Sequence, residues 1–167
     1  INGINYQFVN ITQRILQPSS GVYIYSNIPI YEGTWVTTKF TVDLSDTDQR
    51  FILPNQNVDI STMSVTVQTS AQDTTLTTFT KANNLVSVTS TTNAYFIQET
   101  IDGEWEVYFG DGVVGTALID SNIVILSYVV TNGADANGAS AFTSATSISG
   151  FSDITVATQT AAADGAA

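Results

Sequence analysis

Residues 122–130, NIVILSYVV, are apolar at odd and even positions alike. A strand with one solvated face alternates apolar and polar residues, so this run belongs where both faces are covered. It is expected to be the most buried strand and the centre of the fold, with Ile123, Ile125, Leu126 and Val129 as core residues. Full burial of such side chains contributes about 1.5–3 kcal/mol each.

The rest of the chain supplies strands to surround it. Residues 33–43 (GTWVTTKFTVD) alternate, with Val36, Thr38, Phe40 and Val42 on one face. Residues 61–69 place Met63, Val65 and Val67 inward. Shorter runs at 22–26, 50–54, 73–80, 85–88 and 95–100 are separated by Pro, Asn, Gly and Asp clusters. Strands arriving every 8–12 residues argue for an antiparallel sandwich or barrel. Residues 1–21 stay ambiguous: Ile4, Phe8, Ile11 and Ile15 have helical spacing, whereas β-branched content and Gly3 favour a strand. From Thr131 onward the composition shifts to Gly, Ala, Ser and Thr with isolated apolar residues, which reads as a linker or arm.

The expected fold is therefore all-β: an antiparallel β-sandwich-like module with an irregular Gly/Ala/Ser/Thr-rich C-terminal arm. Residues 1–45 form an N-terminal β segment, which could be part of a small separate subdomain. Residues 46–132 form the core, and 133–167 an extended arm or linker.

Charge and reactive residues narrow the function. Fifteen acidic residues face only Arg14, Lys39, Arg50 and Lys81, a net charge of −11. Phosphate backbones and anionic membrane surfaces need clustered cations, so neither nucleic acid nor membrane is an expected partner. The chain has no Cys and no His. That removes thiolate nucleophiles, Cys/His zinc sites and Ser-His-Asp triads together. No apolar run is long enough for a spanning helix.

Three motifs invite chemistry. Gly110-Asp111-Gly112-Val113-Val114-Gly115 fits G-x-G-x-x-G and follows a strand. The dinucleotide fingerprint also needs a helix after the third glycine, whose N-terminal N–H groups hold the pyrophosphate. Only residues 116–122 separate Gly115 from the next β-branched run, too few for a crossover helix and its loops. The motif reads as a tight turn in which glycine supplies φ > 0. Glu104 and Glu106, with Glu99 across the hairpin, suggest a glycosidase pair. Alternating acids on an outward strand face more simply solubilise it. Asp43, Asp46 and Asp48 faintly suggest a calcium loop but lack its glycine and bidentate Glu, so a solvated acidic turn is expected. No catalytic, cofactor or metal residue is assigned. Asp102 and Gly103 are expected to form a two-residue hairpin turn, type I′, with both residues at φ > 0.

The same region carries a resemblance. Residues 95–99 (YFIQE), Asp102-Gly103, and the block 106–115 (EVYFGDGVVG), followed by 123–130 and 132–138, resemble the baseplate wedge and baseplate J-like proteins of contractile-tailed phages. Residues 31–34 and 50–55 are similar to the wedge subunit of the gene 6 product type in T-even-like phages. The resemblance spans most of 30–150, and its sharpest part is the F-G-D-G block. In it, Asp102, Gly103, Gly110, Asp111, Gly112 and Gly115 form a structural turn motif.

The resemblance implies a non-enzymatic structural component of the tail baseplate wedge, in the inner ring of a virion assembled in the host cytoplasm. Its implied partners are other wedge proteins and further copies of itself. It also implies a fragment whose N- and C-terminal arms are missing. The alternative from the residues alone is a carbohydrate-binding or adhesion β-sandwich, with Trp35, Trp105 and the tyrosines as a stacking platform.

Overall fold

The computed structural model describes residues 3–15 and 17–165. Its strands are β1 (Phe8–Val9), β2 (Tyr31–Glu32), β3 (Thr34–Thr41), β4 (Phe51–Ile52), β5 (Val58–Gln68), β6 (Leu76–Lys81), β7 (Ala94–Glu99), β8 (Trp105–Phe109) and β9 (Ile123–Val130). Two short 3₁₀ turns, Leu85–Ser87 and Gly133–Ala136, complete the secondary structure. The all-β class stands.

β3 to β9 form one seven-stranded sheet in the order β3-β9-β5-β6-β7-β8-β4. β5 pairs antiparallel with β9 and β6, and β8 pairs antiparallel with β7 and β4. β6 and β7 run parallel, Thr80 against Ala94. The architecture is thus one sheet that curls toward a barrel, antiparallel as expected except at the β6–β7 pair. The parallel pair arises because residues 82–93, with the Leu85–Ser87 turn, carry the chain back before β7 starts. Residues 85–88 were expected as a strand. The Asn84 side chain instead accepts from Val86 N (2.9 Å) and caps a helical turn.

The curl brings the two edges of the sheet together. Phe40 on β3 meets Phe51 on β4 edge to face, centroids 5.6 Å apart. Phe51 in turn meets Phe109 (5.6 Å), and Phe109 meets Phe79 (5.3 Å), both edge to face. Four rings from β3, β4, β8 and β6 thus line up through the interior in the arrangement their quadrupoles favour. Tyr128, fully buried on β9, donates to Asn55 Oδ1 (2.6 Å) and shares a hydrogen bond with Thr38 Oγ1 (3.1 Å). At the far end of β3 the Gln49 side chain donates to Thr41 O (2.8 Å) and accepts from Asp43 N (3.0 Å). Side chains, not a backbone ladder, therefore close this near-barrel.

The most buried strand is β9, which stands between the edge strand β3 and β5. Val124, Leu126, Tyr128 and Val129 are buried, while Ile123 and Ile125 are half-buried. Expected core residues Leu126 and Val129 lie at the centre; Ile123 and Ile125 lie on its covered but less enclosed face. Asn122 at its start is also buried. Its Oδ1 accepts from Ile119 N and its Nδ2 donates to Thr69 O, both at 2.8 Å. β5 bulges between Asp59 and Ser64 against β9. There Thr62 Oγ1 takes the Val129 N–H (2.9 Å), so a hydroxyl stands in for a ladder carbonyl.

The β7–β8 hairpin differs from the expected two-residue type I′ turn. Thr100 N donates to Glu104 O (2.7 Å) and Gly103 N to Thr100 O (3.0 Å). Gly103 has φ 78°, whereas Asp102 is not in the positive-φ region. This is a three-residue loop, Ile101-Asp102-Gly103, with the glycine in the left-handed position. The Thr100 hydroxyl also accepts from Glu104 N (3.1 Å), which favours the wider turn. A two-residue loop would set Glu99 opposite Glu106. The observed register sets Gln98 there instead.

Contacts divide the chain into two units, residues 35–130 and the residues before and after them. All of β3 after Thr34 groups with the sheet, and the residues after Val130 group with those before Trp35. In that second unit, β1 and β2 pair antiparallel. The Glu32 carboxylate accepts from Thr131 Oγ1, Asn132 N and Asn132 Nδ2 at 2.6–2.9 Å. Phe8 packs edge to face on Phe142 (4.9 Å). Gly138 N donates to Ala162 O and Ala162 N to Ala139 O. The expected strand at 22–26 is not paired into either sheet; it makes only an isolated bridge, Ser19 to Val22.

Candidate functional site

The G-x-G-x-x-G loop follows β8, and a parallel bridge from Gly110 to Ala117 closes it. Its N–H groups are already occupied. Asp111 Oδ1 accepts from both Val113 N and Val114 N at 2.9 Å. Gly112 N donates to Gly115 O (3.0 Å), and Gly115 N to Thr89 O (3.1 Å). The Asp111 carboxylate thus fills the place in which a bound phosphate would accept, and these bonds hold its pKa below the usual carboxylate value. No helix follows; the chain goes on to β9.

The glycines have distinct tasks. Gly112 and Gly115 each have φ 86°, the left-handed region that glycine enters without strain. Gly110 does not. It is required by proximity: a Cβ there would run into the carbonyls of Val114 and Gly115.

The acidic hairpin face holds one built site. Arg50 grips Glu106 with two bonds, Nε to Oε1 at 2.7 Å and Nη2 to Oε2 at 2.6 Å. Gln98 Nε2 adds a third at 2.8 Å. Glu106 is buried and Arg50 half-exposed. The Arg50 bonds lower the Glu106 pKa to about 2, despite burial pushing it upward. Glu106 was expected to be solvated. It does sit on the outward face, but the arginine and Gln98 cover it. Glu104 and Glu99 remain exposed. A carboxylate held ionised by a bidentate arginine is a poor proton donor and a poorly available nucleophile, so this arrangement serves structure.

A shallow recess of about 420 Å³ lies beside it, lined among others by Asp43, Asp46, Arg50, Glu106, Asp111 and Leu118. Its carboxylates are engaged locally. Asp43 Oδ1 accepts from Ser45 N (2.9 Å) and Ser45 Oγ (2.6 Å), and Asp46 Oδ1 from Asp48 N (3.0 Å). The Ser45 bonds hold the Asp43 pKa low. Among the described residues no group of three or more Asp, Glu, His or Cys is placed to hold a metal ion, and no helix is long and apolar enough to cross a membrane.

The sugar-stacking alternative needs both indoles at one surface. Trp105 packs against the barrel core, while Trp35 is partly exposed on β3. The Arg50–Gln98–Glu106 cluster and the Tyr128 bridge were not anticipated. The available signals were an arginine flanking an apolar run and a tyrosine inside the most apolar strand.

Comparison with known proteins points one way. The sequence model of the family described as bacteriophage baseplate wedge protein gp6, third domain, matches residues 37–132. Baseplate wedge protein gp6 of Enterobacteria phage T4 is 32% identical over 88 residues, covering 44% of this chain and 13% of that protein. The chain therefore spans a small part of the relative's length. The matched residues 37–132 lie almost wholly within the seven-stranded unit, residues 35–130, and the chain belongs to the family of the third domain of bacteriophage baseplate wedge protein gp6.

Proposed function

We propose that this protein is a non-enzymatic structural component of a contractile phage tail baseplate wedge, acting in virion assembly in the inner baseplate ring. The observation that carries the proposal is the family match, which coincides with the closed seven-stranded unit. The engaged state of Asp43, Asp111 and Glu106 supports an architectural use of the acidic residues. The partners are other baseplate wedge proteins and further copies of the chain, and the location is the virion tail baseplate, after assembly in the host cytoplasm. Cryo-electron microscopy of the contractile tail tests this. The seven-stranded unit is expected to fit density in each wedge near the tail axis; a fully assigned baseplate without it would overturn the proposal.

A further inference from the structure

β5 and β6 part before either strand ends. They pair only over residues 65–68 and 76–79. Past Phe79, β6 leaves β5 and runs parallel to β7, Thr80 against Ala94 and Lys81 against Tyr95. Continued by two residues, the antiparallel register would set Met63 opposite Lys81, but no pair joins them. Residues 58–64 of β5 therefore have a strand beside them only on the β9 side.

The gap is a recess of about 530 Å³, within the range of about 300–1,000 Å³ usual for ligand sites. Buried Val65 and Phe79 give it an apolar floor, beside the half-buried Met63. Two groups in it lack partners. Tyr95 is 4% exposed, yet its hydroxyl makes no hydrogen bond among the described residues. Its ring lies on the interior side, opposite Phe109 in the ladder. Burial raises its pKa, so the group stays protonated and can donate. Lys81, level with Tyr95 in the register, projects from the same side of the sheet at the end of β6. Its ammonium has no ion pair among the described residues, and no other charged side chain lines the recess.

A buried donor, a free cation and an apolar floor suit an apolar group that carries an anion. The interrupted ladder selects the form in which it arrives. The open side of β5 offers backbone groups at a spacing that another extended backbone matches.

We propose that the recess between β5 and β6 takes an extended segment of another protein, which lies along residues 58–64, places one apolar side chain over Val65 and Phe79, and sets a carboxylate at Tyr95 Oη and Lys81 Nζ. Charge favours such a guest here: fifteen acidic residues repel it elsewhere, whereas Lys81 is one of only four cations. Side chains two apart share one face of a strand, so the sequence read is apolar-x-acidic. The inference gives the wedge proposal a partner chemistry without resting on it, because the sheet alone carries it.

Three blocked pentapeptides, Thr-Val-Thr-Glu-Thr, Thr-Leu-Thr-Glu-Thr and Thr-Phe-Thr-Glu-Thr, are titrated into the isotope-labelled full chain and followed by amide NMR. Saturable shifts are expected at Ser61, Met63, Lys81 and Tyr95 for at least one of them. Lys81→Gln in the protein, or Glu→Gln in the peptide, is expected to weaken binding about tenfold, the worth of one charge-assisted hydrogen bond, and the two together no further. Tyr95→Phe should weaken binding while leaving the urea midpoint unchanged or higher, because the hydroxyl it removes has no partner in the free chain. Hexanoate is the control for a free carboxylate. Absence of saturable shifts with all three peptides, shifts outside the recess, equal binding of the Gln peptides, displacement by hexanoate at equal concentration, or the same shifts on concentrating the chain alone would each overturn the proposal. None of these outcomes bears on the baseplate placement, which imaging decides.

Discussion

Arg50 and Glu106, 56 positions apart in the chain, form a side-on bidentate pair at 2.6 and 2.7 Å that joins the turn before β4 to the middle of β8. Gln98 completes it from β7. The cluster fastens three consecutive parts of the sheet order at its β4 edge.

Acid should loosen this edge. The folded Glu106 pKa lies at about 2, below its ordinary value of 4.5. A depressed carboxylate contributes stability that is present above the unfolded pKa and lost as pH falls toward the folded one. Stability is therefore expected to drop between about pH 4.5 and 2. Asp43, Asp73 and Asp111, also lowered, act in the same direction. Chemical denaturation across that range should show a shallower pH slope for Glu106→Gln than for the parent.

Removing one partner is a separate test. Arg50→Ala leaves the Glu106 carboxylate with Gln98 alone and should lower the urea midpoint at neutral pH. The double variant Arg50→Ala/Glu106→Gln should recover part of that loss, because the uncompensated charge is gone.

The closure of the sheet depends on rings. Phe51→Ala removes the ring between Phe40 and Phe109 and is expected to destabilise by about 3–5 kcal/mol. Hydrogen exchange should then rise first in β3 and β4. Equal loss of protection in β5 would argue against closure by this contact.

Gly110→Ala should cost about 1–3 kcal/mol, since the new methyl meets backbone on the opposite side of the loop. Asp111→Asn keeps the acceptor and should be mild. Asp111→Ala frees two N–H groups and should raise proteolysis within the loop, as read by limited digestion.

Asn122→Ala leaves Ile119 N and Thr69 O without their partner inside the barrel. A loss of about 1–3 kcal/mol is expected in thermal or urea unfolding. Tyr128→Phe, which removes only the hydroxyl between Thr38 and Asn55, should cost about 1 kcal/mol.

Much of the sheet was legible from alternation. Val36, Phe40, Val65 and Val67 point inward as their spacing requires, and the apolar run became the most buried strand. What alternation could not carry was pairing. The parallel β6–β7 contact depends on how residues 82–93 cross, which no local pattern encodes. The hairpin register turned on one residue of loop length, and with it whether Glu106 faced Gln98 or another glutamate. Burial of Glu106 was hidden because its cover, Arg50, comes from a distant segment. The run at 22–25 had every local mark of a strand and found no sheet in its own chain, since propensity names a conformation but not a partner. The glycine loop was legible as a turn from the missing helix, yet the self-supplied carboxylate needed coordinates to be seen.

β3 opens the seven-stranded unit and β9 ends it, and the two strands are antiparallel neighbours with Thr37 beside Ser127. Trp35 and Val130 therefore leave the sheet close to one another. The two ends of the sheet unit thus lie side by side. Such a module can be excised there and replaced by a short linker, or transplanted into another loop, without asking either side to span a distance.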